Sequence, residues 1–135
     1  FKAINDDFGH GTGDQVLADI GTLLTVDDDC VAIRLGGEEF LLLLRGPGAR
    51  DRAERLRQSI PTRIAHAVPA LDRMVTASMG LIELPQNDFS IPLNDLYIRA
   101  DQLLYEAKQA GRNRLAAEKL TIFRTDGRRK RRDAA

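Results

Sequence analysis

Apolar and polar positions first sort the chain into short alternating elements. The opening stretch "FKAINDDFGHGTGD" (1–14) is polar, carries glycines at 9, 11 and 13, and reads as a short helical turn followed by a loop. Thr12 with Gln15 three residues on has the spacing of a capping box, so a helix should start there. Val16, Leu17, Ile20, Leu23 and Leu24 recur at helical period and carry that helix to about residue 26, in an acidic run. "CVAIRL" (30–35) and "EFLLLLR" (39–45) read as strands separated by Gly36 and Gly37, a hairpin signal because glycine takes positive φ without steric cost. The unbroken apolar run 40–44 suggests a strand buried on both faces.

The second half repeats this rhythm. Residues 49–60 predict a helix with Ala53, Leu56 and Ile60 inward and Arg50, Arg52, Arg55 and Arg57 largely outside. Pro61 should interrupt it, with a short continuation to about residue 68. Residues 74–84 read as a strand and 85–92 as a loop. Leu93, Leu96, Ala100, Leu103, Leu104 and Ala107 predict an amphipathic helix that Gly111 can end. "LTIF" (120–123) reads as a last strand, and 127–132 is a basic run. Helices alternating with strands in this order imply an α+β domain, a mainly antiparallel sheet flanked by helices. We expect one domain over 1–124 and a basic flexible tail over 125–135.

Composition narrows the class. The chain has 135 residues, 43% hydrophobic and 30% charged, a globular profile. Lys+Arg and Asp+Glu both count 20, so net charge points to neither nucleic acid nor a membrane surface. With Cys30 the lone cysteine, an internal disulfide is excluded and a reducing compartment is expected. No apolar run reaches spanning length and no leader pattern opens the chain, which suggests a cytoplasmic domain whose parent could still be membrane-anchored. The chain meets its first motif at Phe1 without a Met, so residues upstream are expected.

Three clusters could carry chemistry. Glu38 and Glu39 follow the glycine pair; they could be solvated turn acids, or Glu38 could bind Mg²⁺, which takes hard oxygen ligands and few carboxylates. Alternation along a strand sends neighbours to opposite faces, which favours one principal ligand. Asn5 and Asp14 could read a guanine edge, since a carboxylate accepts from N1–H and NH₂; equally, Asn5 could be a turn residue and Asp14 a first-turn helix acid. His10 could donate to phosphate or be a plain loop residue. Lys108 and Arg112 are four apart and could clamp a polyphosphate, or simply favour a helix C-terminus.

Taken together, "FKAINDDFGHGTGDQVL" (1–17), "RLGGEEF" (34–40) and "RADQLLYEAKQAGRN" (99–113) resemble the GGDEF domain family of bacterial diguanylate cyclases in type, order and spacing. The resemblance implies a fold similar to nucleotidyl cyclases and polymerase palms. It implies condensation of two GTP into cyclic di-GMP and two pyrophosphates, with Mg²⁺ or Mn²⁺, at a face-to-face homodimer under an upstream sensor or receiver domain. By position, Glu38 is similar to the metal-binding glutamate and base, and Glu39 to the supporting acid. Gly36 and Gly37 would let phosphates approach the hairpin. Asn5 and Asp14 would read guanine, Leu17 would contact the base, and His10 matches the motif histidine. Phe1 and Lys2 match a turn whose amides cradle the β- and γ-phosphates, and Lys108 and Arg112 match the triphosphate pair. The family's second metal-binding aspartate would precede Phe1, so these residues alone are expected to be an inactive fragment. At the family's product-inhibition site, Asp27 and Cys30 replace the usual Arg and Asp, which predicts no feedback binding there. A non-catalytic GTP-binding or dimerising regulatory domain is the alternative.

Overall fold

The computed structural model describes residues 1–25, 27–85 and 90–120. Among these described residues eight elements follow one another: α1 (Lys2–Phe8), α2 (His10–Leu24), β1 (Cys30–Gly36), β2 (Glu39–Leu44), α3 (Ala49–Ala67), β3 (Met79–Glu83), α4 (Leu93–Gln109) and β4 (Leu115–Lys119). This is an α+β chain. It divides into two units, 1–77 and 78–135.

In the first unit α1 and α2 meet at Gly9, whose φ of 88° turns the chain without a loop between the helices. Helix α2 therefore starts at His10, not at Thr12, and Gly9 stands in the N-cap position. Gln15 does not complete a capping box; its amide donates to Asp19 Oδ2 at 3.0 Å. The predicted loop is absent because two helical segments can share one glycine corner. Val16, Leu17, Leu23 and Leu24 are buried as the periodicity predicts, and they join Ile4, Cys30, Ala53, Ile60, Ile64 and Val68 in the core.

Helix α3 corrects a second expectation. It runs unbroken through Pro61 for 19 residues. Proline removes one backbone donor and strains the preceding turn. Ile60 and Ile64 on either side are each 1% exposed, so their burial holds the turn together against that cost. Two of the four arginines expected outside are largely covered: the Arg52 and Arg57 side chains are 17% and 12% exposed. Arg52 reaches Asp27 at 2.6 Å and the Arg45 carbonyl, while Arg57 pairs with Glu54 on its own helix.

β1 and β2 pair antiparallel from Cys30↔Leu44 to Gly36↔Glu39, a two-stranded ladder with a bulge between Arg34 and Gly36. The apolar run of β2 is half-buried, and Leu43 is 44% exposed, so it is not a strand buried on both sides. Among the described residues β2 pairs on one edge only, so no flanking strand encloses its side chains there.

The described residues of the second unit form a strand, a helix and a strand. β3 and β4 pair in parallel, Met79↔Leu115 to Glu83↔Lys119, with α4 as the crossover that a parallel pair needs. Helix α4 lies directly on the strand: a Cβ at Gly80 would stand 2.3 Å from the Ala100 carbonyl oxygen and 2.4 Å from the Leu104 nitrogen. Leu103 and Ala107 are buried. Strand β3 covers less than the predicted 74–84, because its partner supplies five residues. Among the described residues the last strand is "LAAEK", a segment not expected as one; its alanines and charges are poor strand formers, and the crossover places it on β3 regardless. Leu120 only adds one hydrogen bond to Glu83, and 121–123 lie outside the described residues, as does the expected tail.

Candidate functional site

The hairpin tip is built by two glycines and an arginine. Gly36 has φ 148° and Gly37 φ 54°, the latter in the left-handed region that side chains resist. Gly36 still pairs with Glu39, so the turn itself is Gly37 and Glu38. Arg34 donates from Nε and Nη2 to the Gly37 carbonyl oxygen at 3.0 and 2.7 Å. Glu38 and Glu39 are exposed, and among the described residues neither carboxylate has a hydrogen-bond or ion-pair partner. Strand alternation does not separate these two acids, since Glu38 lies in the turn. Their difference is one of place: Glu38 is at the tip and Glu39 is on the ladder.

The α1–α2 corner supplies the second cluster. Asn5 is half-buried on α1, and its Oδ1 lies against Gly13 of α2. Asp14 follows Gly13 and is exposed; with α2 starting at His10, it stands beyond the first turn and is no helix-start acid. Neither Asn5 nor Asp14 has a side-chain hydrogen-bond partner among the described residues. His10 is the exposed first residue of α2, not a loop residue. Phe1 caps α1, and Lys2 reaches Asp6 at 2.6 Å across one exposed turn.

One residue of each cluster, Asp14 and Arg34, reaches a common opening; Asn5, His10, Glu38 and Glu39 are not among the residues that line it. A cleft of about 300 Å³ lies between α2 and the hairpin, lined by Asp14 and Leu17 from the helix and by Ala32, Arg34 and Phe40 from the strands. Arg34 and Phe40 are direct partners across the ladder, which is why both reach the same face. Leu17 is also core, so its place is fixed by packing.

Lys108 and Arg112 belong to the second unit. Helix α4 ends at Gln109, Gly111 takes φ 121°, and Arg112 itself has φ 62°. The two are therefore not an i,i+4 pair on one helical face. The Arg112 amide closes the helix end on the Ala107 carbonyl at 3.0 Å, and the Asn113 amide donates to Ser78 Oγ at 3.2 Å.

At the start of β1, Asp27 accepts from the Asp29 amide at 2.9 Å and from Arg52 at 2.6 Å. The amide and then the guanidinium hold its carboxyl below the ordinary value of 3.8. Burial, then the Asp27 charge, pushes the Cys30 thiol up. Cys30 is a core residue, as a free cysteine often is.

The donor chemistry at the hairpin tip suits a hard cation. Among the described residues no three His, Cys, Asp or Glu side chains come together as a metal cage. Mg²⁺ rarely uses such a cage; it takes one or two carboxylates together with phosphates and water. Sequence reasoning missed Arg34 and Gly13, whose roles appear only once the chain turns back on itself. The spacing of Arg34 three residues before Gly37 across a hairpin is a signal that was available.

The description "Diguanylate cyclase, GGDEF domain" matches residues 1–114. The chain belongs to the GGDEF domain family. It is 40% identical over 127 residues to the diguanylate cyclase VdcA of Vibrio cholerae, covering 85% of this chain and 35% of that protein. Among solved structures, it resembles the GGDEF domain of DgcB from Caulobacter crescentus in complex with c-di-GMP. That match has a TM-score of 0.68 and 28% identity, over 86% of this chain and 70% of the other. It also resembles the active GGEEF domain of a Vibrio cholerae diguanylate cyclase, at a TM-score of 0.61 and 30% identity, over 89% and 77%. The chain spans about a third or less of the length of the curated relatives it matches. Among the described residues no helix is long and apolar enough to cross a membrane.

Proposed function

We propose that this chain is the catalytic output domain of a longer bacterial signalling protein, condensing two GTP into cyclic di-GMP and two pyrophosphates. The observation that carries the reading is the shared cleft, onto which Asp14 and Leu17 of α2 and Arg34 of the GGEEF hairpin all open. VdcA is named a diguanylate cyclase, and the DgcB domain is described with c-di-GMP, which supports the same chemistry here.

In this reading Asn5 and Asp14 recognise the guanine edge. Their amide and carboxylate, without a side-chain partner among the described residues, supply the donors and acceptors that edge requires. Leu17 packs on the base. Gly36 and Gly37 leave the hairpin backbone open to phosphates, and Phe1 and Lys2 offer backbone amides to the β- and γ-phosphates. His10 donates to the same triphosphate, while Lys108 and Arg112, in the second unit, are cations of the kind that bind phosphate. The 3′-hydroxyl of one GTP attacks the α-phosphate of the other, the P–O bond to pyrophosphate breaks, and Glu38 takes the hydroxyl proton. Glu38, with Glu39 in support, would hold Mg²⁺ or Mn²⁺, which neutralises charge gathering on the phosphate oxygens. Each domain holds one GTP, so the reaction needs a homodimer, brought together by an upstream sensor or receiver domain.

The test is incubation of the longer protein containing this domain with GTP and Mg²⁺. Cyclic di-GMP and pyrophosphate are expected; GTP binding without any cyclic dinucleotide would defeat the reading. The second reading is a non-catalytic GTP-binding or dimerising regulatory domain. It predicts binding without turnover in the same assay.

A further inference from the structure

Gly13 occupies a position where any side chain would strike Asn5. It is buried, on the face of α2 against which α1 folds. A Cβ there would lie 1.8 Å from Asn5 Oδ1, 2.9 Å from Asn5 Cγ and 3.3 Å from Phe1 Cζ. Carbon and oxygen in contact stand well beyond 3 Å apart, so the first two distances forbid a side chain while Asn5 stays in place. The Phe1 contact is tight but can relax. Asn5 and Gly13 thus fit as a pair, the carboxamide lying on bare helix backbone.

This packing has a consequence for the amide. Among the described residues no hydrogen bond orients the Asn5 side chain, so its seat against Gly13 does. Gly13 directly precedes Asp14, an exposed residue that lines the cleft. The seat therefore sets the position of the Asn5 carboxamide relative to the Asp14 carboxylate. One group is acceptor-only and the other both donates and accepts, so their separation determines which purine edge they match.

We propose that Gly13 is a positioning residue for purine selection, holding Asn5 beside Asp14 in the geometry that distinguishes guanine from adenine. The inference rests on the guanine-reading role proposed above for Asn5 and Asp14. A side chain at position 13 displaces the amide and leaves Asp14 alone on the base.

The test compares Gly13→Ala, Asn5→Ala and the double variant Asn5→Ala/Gly13→Ala in the full chain. Two readouts are used: equilibrium binding of GTP and ATP, and the urea midpoint. Gly13→Ala should lose about tenfold in GTP affinity, the scale of one lost hydrogen-bonding side chain, and narrow the GTP-to-ATP ratio as Asn5→Ala does. It should also lower the urea midpoint. Asn5→Ala removes both clashing atoms, so adding Gly13→Ala to it should change neither the midpoint nor the affinity much further, a strongly non-additive cycle. Wild-type GTP affinity in Gly13→Ala would overturn the proposal, and so would additive losses in the double variant. Unchanged GTP binding in Asn5→Ala would instead overturn the guanine-reading role and the proposal with it. The stability cycle tests the packing claim independently of any nucleotide.

Discussion

Arg34 holds the carbonyl of Gly37 with two donors, at 3.0 and 2.7 Å, across the turn that presents Glu38. A two-residue turn with a left-handed glycine has few internal constraints. The guanidinium supplies one from outside the backbone, and its planar fork allows two donors to reach a single oxygen.

Arg34→Ala should therefore loosen the tip at modest cost to the fold. The site is exposed, so the expected loss is about 1 kcal/mol in urea denaturation. Arg34→Lys should recover only part of it, since an ammonium lacks the planar fork. In the longer protein, Arg34→Ala should raise the Mg²⁺ concentration needed for half-maximal activity.

Glu38→Gln should leave the fold intact, because the carboxylate has no partner among the described residues. In the longer protein it should lower turnover by about a hundredfold or more, as expected for a metal-binding base. Glu39→Gln should lose less. Mn²⁺ titration followed by paramagnetic broadening of the Gly37 and Glu38 amides checks the binding part separately from activity.

Gly80→Ala should be among the most damaging changes in the second unit. The new methyl would meet Ala100 and Leu104 backbone atoms at 2.3 and 2.4 Å, and backbone cannot rotate away. A loss of about 1–3 kcal/mol or more is expected, read as a fall in the melting temperature.

Asp27 should contribute to stability in a pH-dependent way. Its carboxyl is held below the ordinary 3.8, so the contribution is present above that value and fades as pH falls toward the lower folded value. Asp27→Asn should lower stability at neutral pH and reduce the loss on acidification below about pH 4, measured by urea midpoints across pH. With Asp27 already engaged by Arg52 and Cys30 buried, calorimetry on the longer protein should show no cyclic di-GMP binding at this position.

Sequence and structure divide along a physical line. Periodicity located α2, the hairpin, α3 and α4, because core faces must repeat at the helical or strand period. The family resemblance proposed Glu38, Asn5 and Asp14 as candidates, residue types that hard-cation and purine chemistry can use. Single local signals misled where a neighbouring glycine or core packing prevailed. Thr12 offers a cap, but the glycine corner at Gly9 starts α2 earlier. Pro61 offers a break, but Ile60 and Ile64 bury the helix through it. The Lys108–Arg112 spacing offers a helical pair, but Arg112 lies beyond the end of α4.

The sequence by itself determined which residues carry charge, hydrogen-bonding groups and positive-φ freedom, since these are properties of single residues and short spacings. Only the tertiary structure decided that β4 is "LAAEK" paired in parallel with β3, that Arg34 clamps the Gly37 carbonyl, and that Asn5 rests on Gly13. Each of those depends on segments distant in the chain, or folded back on themselves, coming within contact distance. Packing decides that, and no local propensity contains it.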